Sequence, residues 1–295
     1  MAALKDVRVK IAGVGKTKQI TKAMNMVASA KLRGSQSRME KFRAYADTFH
    51  DMLRDLSGSE TDIIHPLLQE HADIHDVGIV LATSDRGLCG SFNSNLIAAA
   101  LEHAVHLTEE GKHVVFYTVG RKGRDAVRKA GFEVAWDHSG VGVVDFQVAD
   151  RLGVELINAY VHGTLDEAVI FYGRFVSLMR QEPEQMRLLP VGREKKEELD
   201  QAPGDTAGAT EHIYEPKGEA LMEALLPRVI KSFVYKGLLN TATSEQAARM
   251  TAMDNATRNC DELIRTLTQL FNRTRQAAIT NDLIDIVGGA NALNG

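Results

Sequence analysis

Four stretches of the sequence hold residue types and spacings that chemistry uses. Residues 7–17, Val-Arg-Val-Lys-Ile-Ala-Gly-Val-Gly-Lys-Thr, alternate apolar positions like a strand and end in Gly15-Lys16-Thr17 like a phosphate-binding loop. Such a loop wraps backbone N–H groups around phosphates and needs a glycine at position 10, where the Lys10 side chain would crowd the turn. The segment Ser84-Asp85-Arg86-Gly87-Leu88-Cys89-Gly90-Ser91-Phe92-Asn93 follows the apolar run Val77–Ala82 and precedes a helical pattern. Ligands of open α/β sheets sit at that kind of strand-to-helix turn. Gly87 and Gly90 do not complete a dinucleotide fingerprint, and neither does Gly120-Arg121-Lys122-Gly123. His71/His75 and His103/His106 have the i, i+4 and i, i+3 spacings of metal ligands, but no third ligand accompanies either pair. Cys89 and Cys260 lie far apart without a CxxC partner, so two reduced thiols are expected. Nothing assembles a nucleophile, a base and oxyanion donors. No catalytic residue, cofactor or metal is expected.

The elements that would position these residues are of two kinds. Steps of three and four from Leu4 pass through Val7, Ile11, Val14, Lys18, Thr21, Asn25, Ala28, Leu32, Ser35, Met39, Phe42, Ala46, Phe49, Leu53 and Leu56, and twelve of the sixteen positions are apolar. A 3.5-residue repeat of that length is the seam of a coiled coil, with one polar interruption from Lys18 to Asn25. It absorbs Gly13–Thr17 into a helix, which opposes the phosphate-loop reading. Ser57-Gly58-Ser59 ends the pattern. Beyond Pro216 helical periodicity returns through Leu221, Leu225, Val229, Phe233 and Val234. It resumes as Met250, Met253, Ala256, Cys260, Ile264, Leu267, Phe271 and Ala278, with Pro227 and Gly237 as weak points where a bend is expected. The second long helix supplies the partner that the first requires.

In between, Val77–Ala82, His113–Val119 and Ala168–Leu178 read as strands, and Ser94–Glu110, Arg121–Ala130 and Phe146–Val161 as helices. That alternation argues a mainly parallel sheet. Residues 193–211 are charged, then small and turn-rich, and read as a loop. The expected fold is a Rossmann-like α/β central domain plus a long antiparallel coiled coil made by the terminal helices. Its divisions are a helix at 1–58, a connection at 59–75, the α/β domain at 76–192, a linker at 193–215 and a helix at 216–295. About 1.5 Å per residue makes the first helix roughly 80 Å long. A rod standing on a globular body is the expected outline.

Composition narrows the function classes. The 295 residues are 44% hydrophobic and 25% charged, which excludes a collagen-like or disordered chain. The longest apolar runs fall well short of the roughly 18 residues that a membrane-spanning helix needs. Net charge is only −4, yet residues 1–43 hold eleven Lys/Arg against Asp6 and Glu40. A basic arm on an acidic body expects an acidic partner. Nucleic acid is one option, but the arm's aromatic residues come only near its far end, which leaves little for base stacking. The N-terminus shows no signal-peptide core or presequence, so a bacterial cytoplasmic location is expected.

Longer motifs identify a resemblance. Ile20-Thr21-Lys22-Ala23-Met24-Asn25-Met26-Val27-Ala28 with Lys31-Leu32, the Ser84–Asn93 turn, Ser244-Glu245-Gln246-Ala247-Ala248-Arg249-Met250 with Ala252-Met253 and Ala256-Thr257, and Asn272-Arg273-Thr274-Arg275-Gln276-Ala277-Ala278-Ile279-Thr280 are similar to the gamma subunits of F-type ATP synthases. The resemblance covers essentially the whole chain. It implies a non-catalytic central-stalk rotor inside a ring of alpha and beta subunits, coupling proton flow through the membrane sector to ATP synthesis or the reverse hydrolysis. It also implies contacts with the epsilon subunit and the c-subunit ring, and a peripheral place on the cytoplasmic face of the bacterial inner membrane. Lys18, Lys22, Met24, Arg249, Arg275, Gln276 and Thr280 are the stator contacts that it implies. The apolar tail Leu283, Ile284, Ile286, Val287 and Leu293 would sit in a hydrophobic sleeve. Plastid members carry an inserted pair of close cysteines, absent here, so thiol regulation is not expected. Two alternatives stand beside the rotor: a phosphate-loop nucleotide hydrolase built on Gly13–Thr17, and a basic coiled-coil arm that binds nucleic acid.

Overall fold

The computed structural model describes residues 2–58, 65–71, 73–140, 144–191 and 219–294. The linker expected at 193–211 therefore lies outside the described residues, as does 59–64 of the connection. The 3.5-residue repeat produces two uninterrupted helices, α1 (Ala2–Gly58) and α5 (Glu219–Asn294). The described elements between them are a 3-10 turn (Pro66–Leu68), β1 (Asp76–Ala82), α2 (Phe92–Glu109), β2 (His113–Val119), α3 (Arg121–Lys129), β3 (Glu133–His138), α4 (Phe146–Val161), β4 (Glu167–Phe175) and β5 (Gln181–Leu189). Pro227 lies inside α5 without ending it. The chain forms two compact units, Met1–Ala30 with Arg249–Gly295, and Lys31–Ala248. Both long helices are thus shared between units.

In the first unit α1 and α5 pack antiparallel along the expected seam. Every seam position from Leu4 to Ala28 is buried or half-buried, and so is each from Met250 to Ala278. The polar interruption is matched by polar groups on the other helix. Lys18 pairs with Asp261, the Thr21 and Thr257 hydroxyls are 2.8 Å apart, and Asn25 Nδ2 donates to the Met250 carbonyl at 2.8 Å.

In the second unit a five-stranded sheet has the order β3-β2-β1-β4-β5. The first four strands are parallel and β5 is antiparallel to β4. Side chains alternate across β1 as strand geometry dictates. Val77, Ile79 and Leu81 join Leu96, Ala100, Phe116 and Phe171 on the α2/α3 face, while Val80 and Ala82 join Leu152, Leu156, Ile170 and Leu226 on the α4/α5 face. α5 reaches β4 because Gly237 has no side chain: a Cβ there would lie 2.8 Å from Ile170 Cδ1.

Two strands were not expected from the sequence. β3 is an edge strand whose side chains are exposed or half-buried, and β5, the opposite edge, carries Glu182, Pro183 and Glu184. Charges and proline are tolerated on edges, where ladder bonding is needed on one side only. β4 ends at Phe175 instead of Leu178, because the chain turns back there: Ser177 N–H donates to Arg180 O at 3.0 Å and Ser177 O accepts from Arg180 N–H at 3.3 Å.

Candidate functional site

The α/β crevice is the first place to look for chemistry, and its donors are already used. β1 delivers Thr83, Ser84 and Asp85 to the N-terminus of α3. There Asp85 Oδ1 accepts from Arg121 N–H at 3.0 Å, Ser84 O from Lys122 N–H at 3.1 Å, and Thr83 Oγ1 from Gly123 N–H at 2.8 Å. Free N–H groups at a helix start attract phosphate. Here the chain's own oxygens take them. Asp85 Oδ1 also accepts from Gly140 N–H at 3.0 Å, so one carboxylate joins the loops that follow β1, β2 and β3. Gly120 and Gly123 serve the same closure: a Cβ on Gly120, at φ 98°, would lie 2.2 Å from Thr83 O. Only a small pocket, partly open to solvent, remains between Thr83, Asp85, Gly120 and the α5 residues Leu238, Thr241 and Glu245.

The Ser84–Asn93 turn is equally self-contained. Ser84 N–H donates to Asn93 Oδ1 at 3.1 Å, Ser84 Oγ to the Arg86 carbonyl at 2.6 Å, and Asn93 Nδ2 to Cys89 Sγ at 3.1 Å. Cys89 is buried, which opposes a nucleophile's role. Leu88 adopts φ 63° and is exposed.

The histidine pairs serve other purposes. His71 Nδ1 lies 2.6 Å from Asp166 Oδ1 and its ring stacks on Tyr160. Asp166 Oδ2 accepts the His75 and Asp76 N–H groups at 2.8 and 2.9 Å. Burial raises the Asp166 carboxyl, but the Asp76 N–H, the His71 ring and the His75 N–H together outweigh it and hold the carboxyl below its ordinary range. His106 sits on Glu110, and burial pushes His103 down. Among the described residues no three His, Cys, Asp or Glu side chains converge as metal ligands.

Gly13–Thr17 lies within α1, and the Thr17 hydroxyl donates back to the Gly13 carbonyl at 3.2 Å as in any helix. A phosphate loop needs non-helical backbone, so that reading is excluded here.

The contact residues implied by the resemblance all lie on the paired helices of the first unit. Lys22, Arg275, Gln276 and Thr280 are exposed, and Met24 is half-buried. Lys18 is engaged by Asp261, and Arg249 is 9% exposed with its interactions met inside the chain. Asp261 and Thr257, which meet Lys18 and Thr21 across the helix pair, are not among the contact residues that the resemblance implies. Leu283, Ile284, Ile286 and Val287 are all more than half exposed, while the Leu293 side chain lies outside the described residues.

These features define a class: antiparallel terminal helices, an α/β unit whose ligand crevice is closed from within, and an exposed apolar helix end. Comparison with known proteins reaches the same class. Residues 3–293 match the ATP synthase family. The chain is 59% identical to the ATP synthase gamma chain of Nitratidesulfovibrio vulgaris strain Hildenborough and 52% identical to that of Maridesulfovibrio salexigens, in each case over the full length of both chains. Its fold matches a chain of the Euglena gracilis mitochondrial ATP synthase (OSCP/F1/c-ring, rotational state 3) with TM-score 0.68 and 22% identity, over 99% of this chain and 95% of that one. The chain belongs to the ATP synthase gamma-chain family. Among the described residues no helix is long and apolar enough to cross a membrane.

Proposed function

We propose that the chain is the central-stalk rotor of a proton-translocating F-type ATP synthase and performs no bond chemistry itself. The 59% identity to an ATP synthase gamma chain over its whole length carries this reading. The closed crevice supports the non-catalytic part, since a nucleotide phosphate would have to displace Asp85, Ser84 and Thr83 together. The parallel order β3-β2-β1-β4, with helices on both faces, supports a Rossmann-like domain at 76–192. The helices of 1–58 and 216–295 then serve as the coiled-coil shaft, with 59–75 and 193–215 as connection and linker.

In this reading the shaft stands inside a ring of alpha and beta subunits, and the α/β domain meets epsilon and the c ring. The assembly sits peripherally on the cytoplasmic face of the bacterial inner membrane. Rotation presents a different face of the shaft to each beta subunit in turn. Contacts that differ between open and closed beta states shift their populations, driving nucleotide binding and release in one direction of rotation and reporting hydrolysis in the other. Lys22, Arg275, Gln276 and Thr280 are exposed for that contact, and the basic arm is complementary to acidic loops on the stator. Met24 is half-buried, and Lys18 and Arg249 act from within the shaft.

Co-expression with the alpha and beta subunits tests this. A complex of fixed stoichiometry is expected, with no ATP binding and no salt-sensitive DNA binding by the purified chain at micromolar concentration. A chain that binds ATP alone and never co-purifies with those subunits contradicts the reading.

A further inference from the structure

α3 gathers a cationic surface that the chain itself does not use. Five of its nine residues are Lys or Arg and only Asp125 is acidic, whereas residues 44–295 as a whole are net acidic. Gly123 and Val127 form its inward side. Val127 is buried in the core of the α2/α3 face, and Gly123 lies against Thr83, whose Oγ1 accepts its N–H at 2.8 Å. Residues four apart share a helix face, so positions opposite these two point away from the sheet. Arg121, Lys122, Arg128 and Lys129 occupy them, and all four are exposed. Arg124 and Asp125 neutralise each other: Arg124 Nε and Nη2 donate to Asp125 Oδ1 at 3.0 and 2.9 Å, and Nη1 donates to Asp137 Oδ2 at 3.3 Å and Ser139 Oγ at 3.1 Å. The other four cationic side chains have no hydrogen-bond or ion-pair partner among the described residues.

Arg128 and Lys129 stand in the last turn, where the helix dipole favours positive charge. Arg121 and Lys122 stand in the first turn, where it opposes them, and that turn holds no acid. Asp85 accepts the Arg121 N–H and so caps the helix start, but it pairs with neither side chain. A locally unfavourable choice with no partner in the chain marks a place that acts on something outside it. The charges also have a pattern. Arg121 and Arg128 are seven residues apart, as are Lys122 and Lys129, so two rows run along the helix, each spanning about 10 Å. Acidic residues two turns apart on another helix have the same spacing, and the Arg forks can take carboxylates bidentately. The face carries no exposed aromatic or large aliphatic side chain. Base stacking and insertion into a lipid surface both need one.

We propose that the outward face of α3 is a docking surface for an acidic helix of another protein, with Arg121, Lys122, Arg128 and Lys129 pairing its carboxylates. The partner's being another subunit of the assembled synthase rests on the rotor reading above.

The test uses the full-length chain co-purified with the other synthase subunits and a zero-length carbodiimide, which joins an amine only to a carboxylate in contact with it. Mass spectrometry should find Lys122 or Lys129 bonded to Asp or Glu of a helix in another subunit. Arg121→Gln with Arg128→Gln leaves both lysines in place and should lower that yield roughly fivefold, the loss expected when two exposed ion pairs go. The isolated chain with all four cations replaced by Gln should unfold at the parental midpoint or above it, because the fold draws nothing from them. Absence of any cross-link to another subunit overturns the proposal, and so does a yield indifferent to the two arginines. A lowered midpoint in the four-Gln chain overturns it as well, because the cations would then serve the fold. So does sedimentation of the parent chain with phosphatidylglycerol vesicles that the four substitutions abolish, because the occupant would then be a lipid surface. A chain that never co-purifies with those subunits overturns the rotor reading and this proposal together, whereas assembly without the cross-link overturns this proposal alone.

Discussion

Replacing Gly13 and Gly15 by alanine separates a helix from a phosphate loop by the sign of the effect. Both glycines lie inside α1, and a Cβ built on either meets nothing within 4 Å. Alanine therefore fits without a clash, and each substitution should stabilise the helix by about 1 kcal/mol through propensity and reduced freedom of the unfolded chain. The two sites share no side-chain partner, so the effects should add to about 2 kcal/mol. Since 1.4 kcal/mol is tenfold, amide exchange in residues 13–21 should slow by roughly thirtyfold if those amides exchange by local opening of α1. Hydrogen–deuterium exchange read by mass spectrometry on the full-length chain measures this directly, and helicity should stay equal or rise. Faster exchange in the variant, or a fall in helicity, would refute the reasoning, because only a non-helical glycine backbone is harmed by an unobstructed methyl group.

Asp85→Ala removes the acceptor shared by Arg121 N–H and Gly140 N–H, and should lower the stability of the α/β unit by about 1–3 kcal/mol in thermal denaturation. A neutral result would mean that water replaces the carboxylate fully. Gly173→Ala places a methyl group 2.4 Å from the Phe92 ring and should destabilise by about 1–3 kcal/mol, visible as a lower denaturation midpoint. For Asp166 the folded carboxyl is held below its unfolded range, so its contribution is present above the unfolded pKa and is lost as pH falls through the lower folded value. Asp166→Asn should therefore be destabilising at pH 7, and the gap to the parent chain should narrow below about pH 4; a gap independent of pH would contradict the assignment.

What was legible in the sequence follows from where the information is local. The seam was readable because a 3.5-residue repeat records one partner face at every turn, and its positions from Leu4 to Ala28 are the less exposed ones. β1, β2 and β4 were readable because central strands are apolar on both faces, whereas β3 and β5 are edges whose polar residues answer to solvent. Nothing near Gln181–Leu189 announces a strand, since its state is decided by pairing with β4. The resemblance puts its implied contact residues on the two long helices but does not distinguish Lys22, which is exposed, from Lys18, which is tied to Asp261 across 243 residues. Asp85 was a candidate for chemistry by its location, and only the partners 36 and 55 residues away reveal that it closes the crevice.

The proposed role requires this chain to turn as one rotor within a fixed ring. The most direct measurement attaches a bead through a single cysteine introduced on the exposed surface of the α/β unit of the assembled alpha–beta complex, held by its ring on glass, and follows it during ATP hydrolysis. Unidirectional stepping of the bead, arrested when Gln276→Cys is crosslinked to the ring, is the predicted result. Sustained ATP hydrolysis with a stationary bead, or undiminished stepping after that crosslink, would contradict it.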